Sequence, residues 1–239
     1  MTKPGTSKKR KKPAYSKKTV LLIAGLALCA CAVIVGLNVV FYRTIKAHDA
    51  DIIISGVKIG DTDVSGMNAA QAKEAVTQAA QEYSGRKLVL RLADGQQTEA
   101  TLAELGLTVP DLESAVKKAV AYGKEGSRAA CYKILKSAEK GENNKVFPIT
   151  FAVDEETAGN VLRERLGGLL PQPENAKLTQ SDGTGIVTAD ISGKKVDETK
   201  TVANINEEIA DGKTADGTSV DVDTEEYKAD ITASDLEGI

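Results

Sequence analysis

Tryptophan is absent from this chain of 239 residues, and aromatic residues make up only 4% of it. Any core must therefore be assembled from Leu, Ile, Val and Ala. Histidine occurs once, as His48. Of the three cysteines, Cys29 and Cys31 share one apolar run, so Cys131 stands alone in the remainder. A lone cysteine forms no internal disulfide, and with a single histidine it builds no metal site. A cysteine nucleophile needs an adjacent base, normally histidine. His48 follows the apolar run by a few residues and reads as a solvated stalk residue. Cys131 falls on the apolar face of an expected helix and reads as a small core residue.

Other chemistry is missing as well. No glycine-rich phosphate loop precedes a helix. Asp61-x-Asp63 and Asp221-x-Asp223 each offer two carboxylates, short of the six to eight oxygens that calcium takes. Nothing singles out a pair of carboxylates for glycoside hydrolysis among the 34 acidic residues. The chain is expected not to be an enzyme and to carry no cofactor and no metal.

Acidic residues are also absent from positions 1–18, which hold eight basic ones: Lys3, Lys8, Lys9, Arg10, Lys11, Lys12, Lys17 and Lys18. The remainder holds 23 basic against 34 acidic residues, an acidic body behind a basic tail. That body should repel nucleic acid, because phosphate binding needs clustered cations. The run Lys8–Lys12 has the look of a nuclear or RNA-binding signal. Beside an apolar span, however, it fits a cytoplasmic flank that attracts anionic headgroups, at ~1 kcal/mol per charge.

From Thr19 to Phe41 the chain carries no charge. As a helix rising ~1.5 Å per residue it spans roughly 34 Å, enough to cross a bilayer. Eight positive charges before it, against Arg43 and Lys46 just after it, place the N-terminus in the cytoplasm and the C-terminal region outside. Ala30-Cys31-Ala32 has the form of a signal-peptidase site, but cleavage there would leave an apolar new terminus. The same apolar continuation argues against acylation of Cys31 in Leu28-Cys29-Ala30-Cys31.

Beyond a stalk at 43–51, strand and helix signals alternate. Val57-Lys58-Ile59 predicts a short strand, and Asn68 with Gln71 the capping box of a helix that Gly85 closes. Leu88, Leu90 and Leu92 alternate as a half-buried strand before an Asp94-Gly95 turn. Asp111 and Ser127 open two further helices, separated by Gly123. Phe147, Ile149, Phe151 and Val153 alternate as one strand, and Asp154 caps the next helix. A hairpin is expected around Asp182-Gly183, then a helix from Asp197 and an alternating strand at Val220–Asp223. An internal echo runs through this order. Ile54–Ile59 leads to a helix, a strand and Thr101-x-x-x-Leu105, while Ile191–Val196 leads to a helix, a strand and Thr232-x-x-x-Leu236. Each such unit alone would expose an apolar face, which pairing would bury.

Several of these stretches carry a resemblance. Gly56-Val57-Lys58-Ile59-Gly60, Asp63-Val64-Ser65-Gly66-Met67, Thr101-Leu102-Ala103-Glu104-Leu105-Gly106-Leu107 and Ala121–Ser127 stand in one order. They are followed by Pro173–Lys177, Gly193 and Val196-Asp197. The set resembles the peptidoglycan-binding domain of VanW-like proteins and of some membrane-anchored L,D-transpeptidases, over about residues 52–239. The resemblance implies a wall-binding module of a Gram-positive-type envelope. The C-terminal domain of larger relatives, with its catalytic cysteine context, has no counterpart here. Thr232-Ala233-Ser234-Asp235 has the form of a capping box that opens a further element, so a natural short form and a piece of a longer protein both stay open.

The expected architecture is thus α+β. It comprises a basic cytoplasmic tail (1–18), a transmembrane helix (19–42), a stalk (43–51) and two related strand–helix–strand units (52–145 and 146–239). The expected function is that of a membrane-anchored, non-catalytic envelope protein that binds peptidoglycan, with the lipid bilayer as its second partner. The alternatives are the anchoring and substrate-positioning half of an L,D-transpeptidase or VanW-like protein, and an ectodomain that binds another envelope protein. The glycine-bearing turn supplies the candidate binding residues. Tyr122 would stack on a sugar, Gly123 and Gly126 would let backbone amides approach, and Lys124 and Arg128 would pair with stem-peptide carboxylates. The competing expectation is that Tyr122 packs on its helix pair while the basic side chains are solvated.

Overall fold

The computed structural model describes residues 17–181 and 184–237. The basic run Lys8–Lys12 and the Asp182-Gly183 turn lie outside the described residues. Helix α1, Lys17–Ala47, is 31 residues long. It contains the one stretch among the described residues, Ala24–Ala47, that is long and apolar enough to cross a membrane. Ten of its large apolar side chains, among them Leu21, Leu22, Leu26, Leu28 and Val40, are 49–77% exposed, so the folded region leaves them uncovered. Only the last turns of α1 meet that region: the Phe41 ring lies 4.8 Å from that of Tyr132, and Ile45 packs against a core cluster.

Strands β1 (Val57–Ile59) and β2 (Thr62–Asp63) form a tight antiparallel pair. Helix α2, Ala69–Ser84, begins with the expected capping box: Asn68 accepts the Gln71 N–H at 2.9 Å, and Gln71 accepts that of Asn68 at 3.0 Å. Strands β3 (Lys87–Arg91) and β4 (Gln97–Thr101) flank the expected turn, where Gly95 adopts φ +89°. After β5 (Leu107–Thr108) come α3 (Leu112–Ala121) and α4 (Arg128–Glu139), the latter capped by the Ser127 hydroxyl. Asp111 precedes α3 as expected, but its carboxylate accepts the N–H of Thr150 rather than capping the helix.

The single strand expected from Phe147 to Val153 is instead two, β6 (Lys145–Phe147) and β7 (Ala152–Val153). Pro148, which has no N–H to give a ladder, sits at the break. The alternating apolar residues on either side serve different cores: Phe147 and Ile149 pack into one, Phe151 and Val153 into the other. Asp154 then caps α5 (Glu155–Leu166), and the N–H and hydroxyl of Thr157 hold its carboxyl below the usual carboxylate range. Strands β8 (Lys177–Ser181), β9 (Thr184–Thr188) and β10 (Gly193–Val196) lead to α6 (Glu198–Ile209), which Asp197 caps. Strands β11 (Thr218–Asp221) and β12 (Thr224–Tyr227) and a short α7 (Ala233–Leu236) complete the order.

The fold is mixed α+β, with small sheets and no barrel among the described residues. Central to it is β3, paired antiparallel with β4 and parallel with β11. The internal echo has a structural counterpart. The order β1–α2–β3, interrupted only by the two-residue β2, parallels β10–α6–β11, and β3 and β11 pair with each other. Thr101 gives its N–H and hydroxyl to Glu104, as Thr232 does to Asp235.

Two apolar clusters result, and each draws on residues from both sides of position 145. One holds Tyr83, β3, β4, Leu102 and Leu105 together with residues 151–222, centred on Leu162, Leu166, Ile205 and Ile209. The other combines Ile53–Val76 with α3, α4 and Phe147 to Ile149. The backbone therefore crosses between clusters three times: along α2, between Leu107 and Leu112, and between Ile149 and Phe151.

Candidate functional site

The turn between α3 and α4 does not gather the five expected binding residues around one point. Tyr122 is half-buried against the second cluster, with its ring edge-on to Phe147 at 5.8 Å. Its hydroxyl donates to Asn143 Oδ1 at 3.3 Å, and Asn143 in turn donates to the carbonyl of Ser55 at 2.7 Å. Gly123, at φ +77°, is enclosed: a Cβ there would lie 3.0 Å from both Ile54 and Ile134. Lys124 turns to the stalk, where its ammonium donates to the carbonyls of Ala50 and Ile52. Burial lowers its pKa, and Asp49 and Asp51 act against that shift. Gly126, at φ +110°, borders open space. Arg128 reaches the other way, donating to Asn38 of α1 at 3.4 Å.

A packing role for Tyr122 has a measurable size. Tyr122→Ala is expected to cost about 3 kcal/mol in urea unfolding followed by circular dichroism, because a ring and its contacts are lost. Tyr122→Phe should cost only about 1 kcal/mol, the worth of one hydrogen bond. An alanine variant as stable as the parent would contradict the packing seen here.

Elsewhere, Cys131 is buried and its thiol donates to the carbonyl of Glu125. His48 meets the carbonyl of Thr44 through Nδ1 and lies 3.8 Å from Glu139. Of the two aspartate pairs, three carboxylates bond within the fold. Asp63 accepts the N–H of Ser65, Asp221 pairs with Arg91, and Asp223 accepts from Asn204. Among the described residues no group of three or more His, Cys, Asp or Glu is placed to hold a metal.

Two concave surfaces stand out. A groove of about 640 Å³ runs between α2 and α3, with Val116 and Val120 on its floor and the Lys73–Glu113 ion pair and Lys124 on its rim. A crevice of about 460 Å³ lies where the two clusters meet, at the seam made by α2 and the segment from Val146 to Phe151. Tyr83 is among its lining residues, with its ring 4.9 Å from that of Phe151 and covered on another side by the Arg86 guanidinium at 4.8 Å. Arg86 also donates to the carbonyl of Thr214. Asp61, Glu82, Asp211 and Lys213 form the rim. Tyr83 is 6% exposed, and its hydroxyl has no hydrogen-bond partner among the described residues. Sequence reading passed over this crevice because its lining comes from four separate segments, and Tyr83 looked like any apolar residue at helical spacing.

A family model described as "Putative peptidoglycan binding domain" matches residues 98–225, from within β4 to within β12. No curated protein and no solved structure matches the chain.

Proposed function

The chain belongs to the peptidoglycan-binding domain family whose model spans residues 98–225, and on that basis we propose a single-pass membrane protein that holds a non-catalytic peptidoglycan-binding region outside the cell. The observation that carries this reading is the family match on a folded region that continues directly from an uncovered apolar helix. In a bilayer the exposed side chains of α1 meet lipid, which removes their cost in water. The positive charge before α1 favours a cytoplasmic N-terminus and an extracellular C-terminal region. The ordered stretches from Gly56 to Asp197 favour kinship with the wall-binding modules of VanW-like proteins and membrane-anchored L,D-transpeptidases.

The full chain, purified in detergent, should co-sediment with purified sacculi and leave their muropeptide profile unchanged. A reporter fused after Ile239 should be active only in a form that works outside the membrane. Absence from the sacculus pellet defeats the wall-binding reading, and a cytoplasmic C-terminal reporter defeats the topology. The groove between α2 and α3 favours a second reading, an ectodomain that docks another envelope protein on an apolar floor. That reading predicts that Val120→Lys abolishes co-purification of the partner while sedimentation with sacculi persists.

A further inference from the structure

The run without charge stops at Phe41, yet α1 continues to Ala47 without a break, and this last stretch is built into the folded region. Phe41, Thr44, Ile45 and His48 are half-buried, while Tyr42, Arg43, Lys46 and Ala47 between them are exposed, the spacing of one helix face. That face lies along α4, and the two helices run parallel. Arg128 meets Asn38, the Tyr132 ring meets that of Phe41, and Glu139 meets His48. Just beyond, the Lys124 ammonium holds the carbonyls of Ala50 and Ile52. These successive contacts fix both the angle and the height of the folded region on α1.

The height follows from the pairing. In a helix rising ~1.5 Å per residue, Asn38 stands about 4–5 Å before Phe41. A hydrocarbon layer of about 30 Å centred on a run of roughly 34 Å ends about 2 Å before Phe41. The level of Asn38, and with it the Arg128 guanidinium, thus falls within about 3 Å of the outer edge of the hydrocarbon. Tyr42 on α1 and Tyr132 on α4 stand beside that edge, and membrane interfaces favour tyrosine, with its apolar ring and wet hydroxyl. Residues 125–130, the turn and first helical residues at this level, are all exposed. The charges agree. Arg43, Lys46 and Lys133 are exposed at the same end of the helix pair, and Glu125 is the one acid from 123 to 133, on a body otherwise rich in acid.

We propose that the start of α4 lies in the outer headgroup layer with Arg128 on a phospholipid phosphate, so that the folded region is seated on the membrane rather than held away from it. The inference rests on the reading of α1 as the span. A guanidinium matches phosphate bidentately and stays charged at any physiological pH. Its contact with Asn38, at 3.4 Å, uses one of five N–H groups. Peptidoglycan is then met in a fixed pose beside the membrane.

The test uses the full chain in lipid nanodiscs, with Cys29, Cys31 and Cys131 replaced by alanine. A bimane fluorophore is attached in turn to Val39→Cys, Ala129→Cys and Glu156→Cys, the last on α5 in the other cluster, and quenching by headgroup-spin-labelled lipid is read. Quenching at 129 should match that at 39 to within about twofold, and quenching at 156 should be lost. Quenching at 39 without quenching at 129 overturns the seating and spares the span. Absence of quenching at 39 removes the span, and the inference with it. Quenching at 156 equal to that at 129 overturns the fixed pose. Arg128 has a readout of its own. Arg128→Gln should melt about 2–4 °C below the parent in nanodiscs of phosphatidylglycerol, and level with it in a phosphate-free non-ionic detergent. Equal melting of the two proteins in nanodiscs overturns the phosphate contact. So does an equal loss in detergent, which would assign Arg128 to the fold.

Discussion

Gly56→Ala is expected to lower the stability of the folded region by roughly 3 kcal/mol or more, a drop of some 6–12 °C in Tm for a region of this size. Two effects add at this position. Gly56 sits at φ +75°, where a Cβ costs about 1–2 kcal/mol through its clash with the backbone. The Cβ would also lie 2.0 Å from the carbonyl oxygen of Asn143 and 2.7 Å from its carbonyl carbon. Those atoms belong to a backbone that cannot simply rotate away. The Gly56 carbonyl accepts the N–H of Lys145 at 2.8 Å, and β1 and β6 pair in parallel from the next residue onward. Relieving the clash therefore means opening that pairing. Gly66 is the control: it has nearly the same φ, +74°, but nothing within 4 Å of an added Cβ. Gly66→Ala should cost only the conformational part, about 1–2 kcal/mol. Equal losses at the two positions in thermal unfolding would show that the close approach to Asn143 is wrong.

Leu162→Ala should be as damaging, at about 2–5 kcal/mol, since Leu162 is fully buried in the first cluster and leaves a cavity. Its wider use is to ask whether the two clusters open together. Cys131 is buried on α4, whose Leu135 and Ala138 belong to the second cluster. In a background with Cys29 and Cys31 replaced by alanine, thiol labelling of Cys131 reports the opening of that cluster. Because the backbone crosses three times, Leu162→Ala is expected to speed this labelling in proportion to the stability lost. An unchanged labelling rate beside a lowered unfolding midpoint would mean that the clusters open independently.

Local chemistry was legible in the sequence wherever a residue acts on its near neighbours. The Asn68–Gln71 box, the Ser127, Asp154 and Asp197 caps and the Asp94-Gly95 turn all stand where their spacing placed them. What could not be read is what depends on distant partners. Alternation from Phe147 to Val153 looks like one strand, since periodicity does not reveal that its two halves face different cores. Lys124 looks like a free cation in a glycine-bearing turn, but the carbonyls it holds lie 72 and 74 residues earlier. The crevice was invisible for the same reason. A hydroxyl without a partner is a property of the surroundings of Tyr83, not of its neighbours in the chain.

The pairing of β3 with β11 also sets a clock. Arg91 and Asp221, bonded side chain to side chain across that pair, are 130 residues apart. Contacts of such separation form late and slowly, because the loop must close before any pairing rewards it. A chain made from its N-terminus holds β3 and β4 as a two-stranded fragment, with the apolar face of β3 incompletely covered, until residue 221 has been synthesised. At ~5–20 residues per second the interval between Arg91 and Asp221 lasts on the order of 7–26 s. During that time Leu88 and Leu90 have no third strand beside them. The segment 98–225 expressed by itself would never end the wait, since it starts within β4 and lacks the strand on which β11 docks. The smallest piece able to complete the first cluster must begin before Lys87, and in practice before the Tyr83 turn of α2.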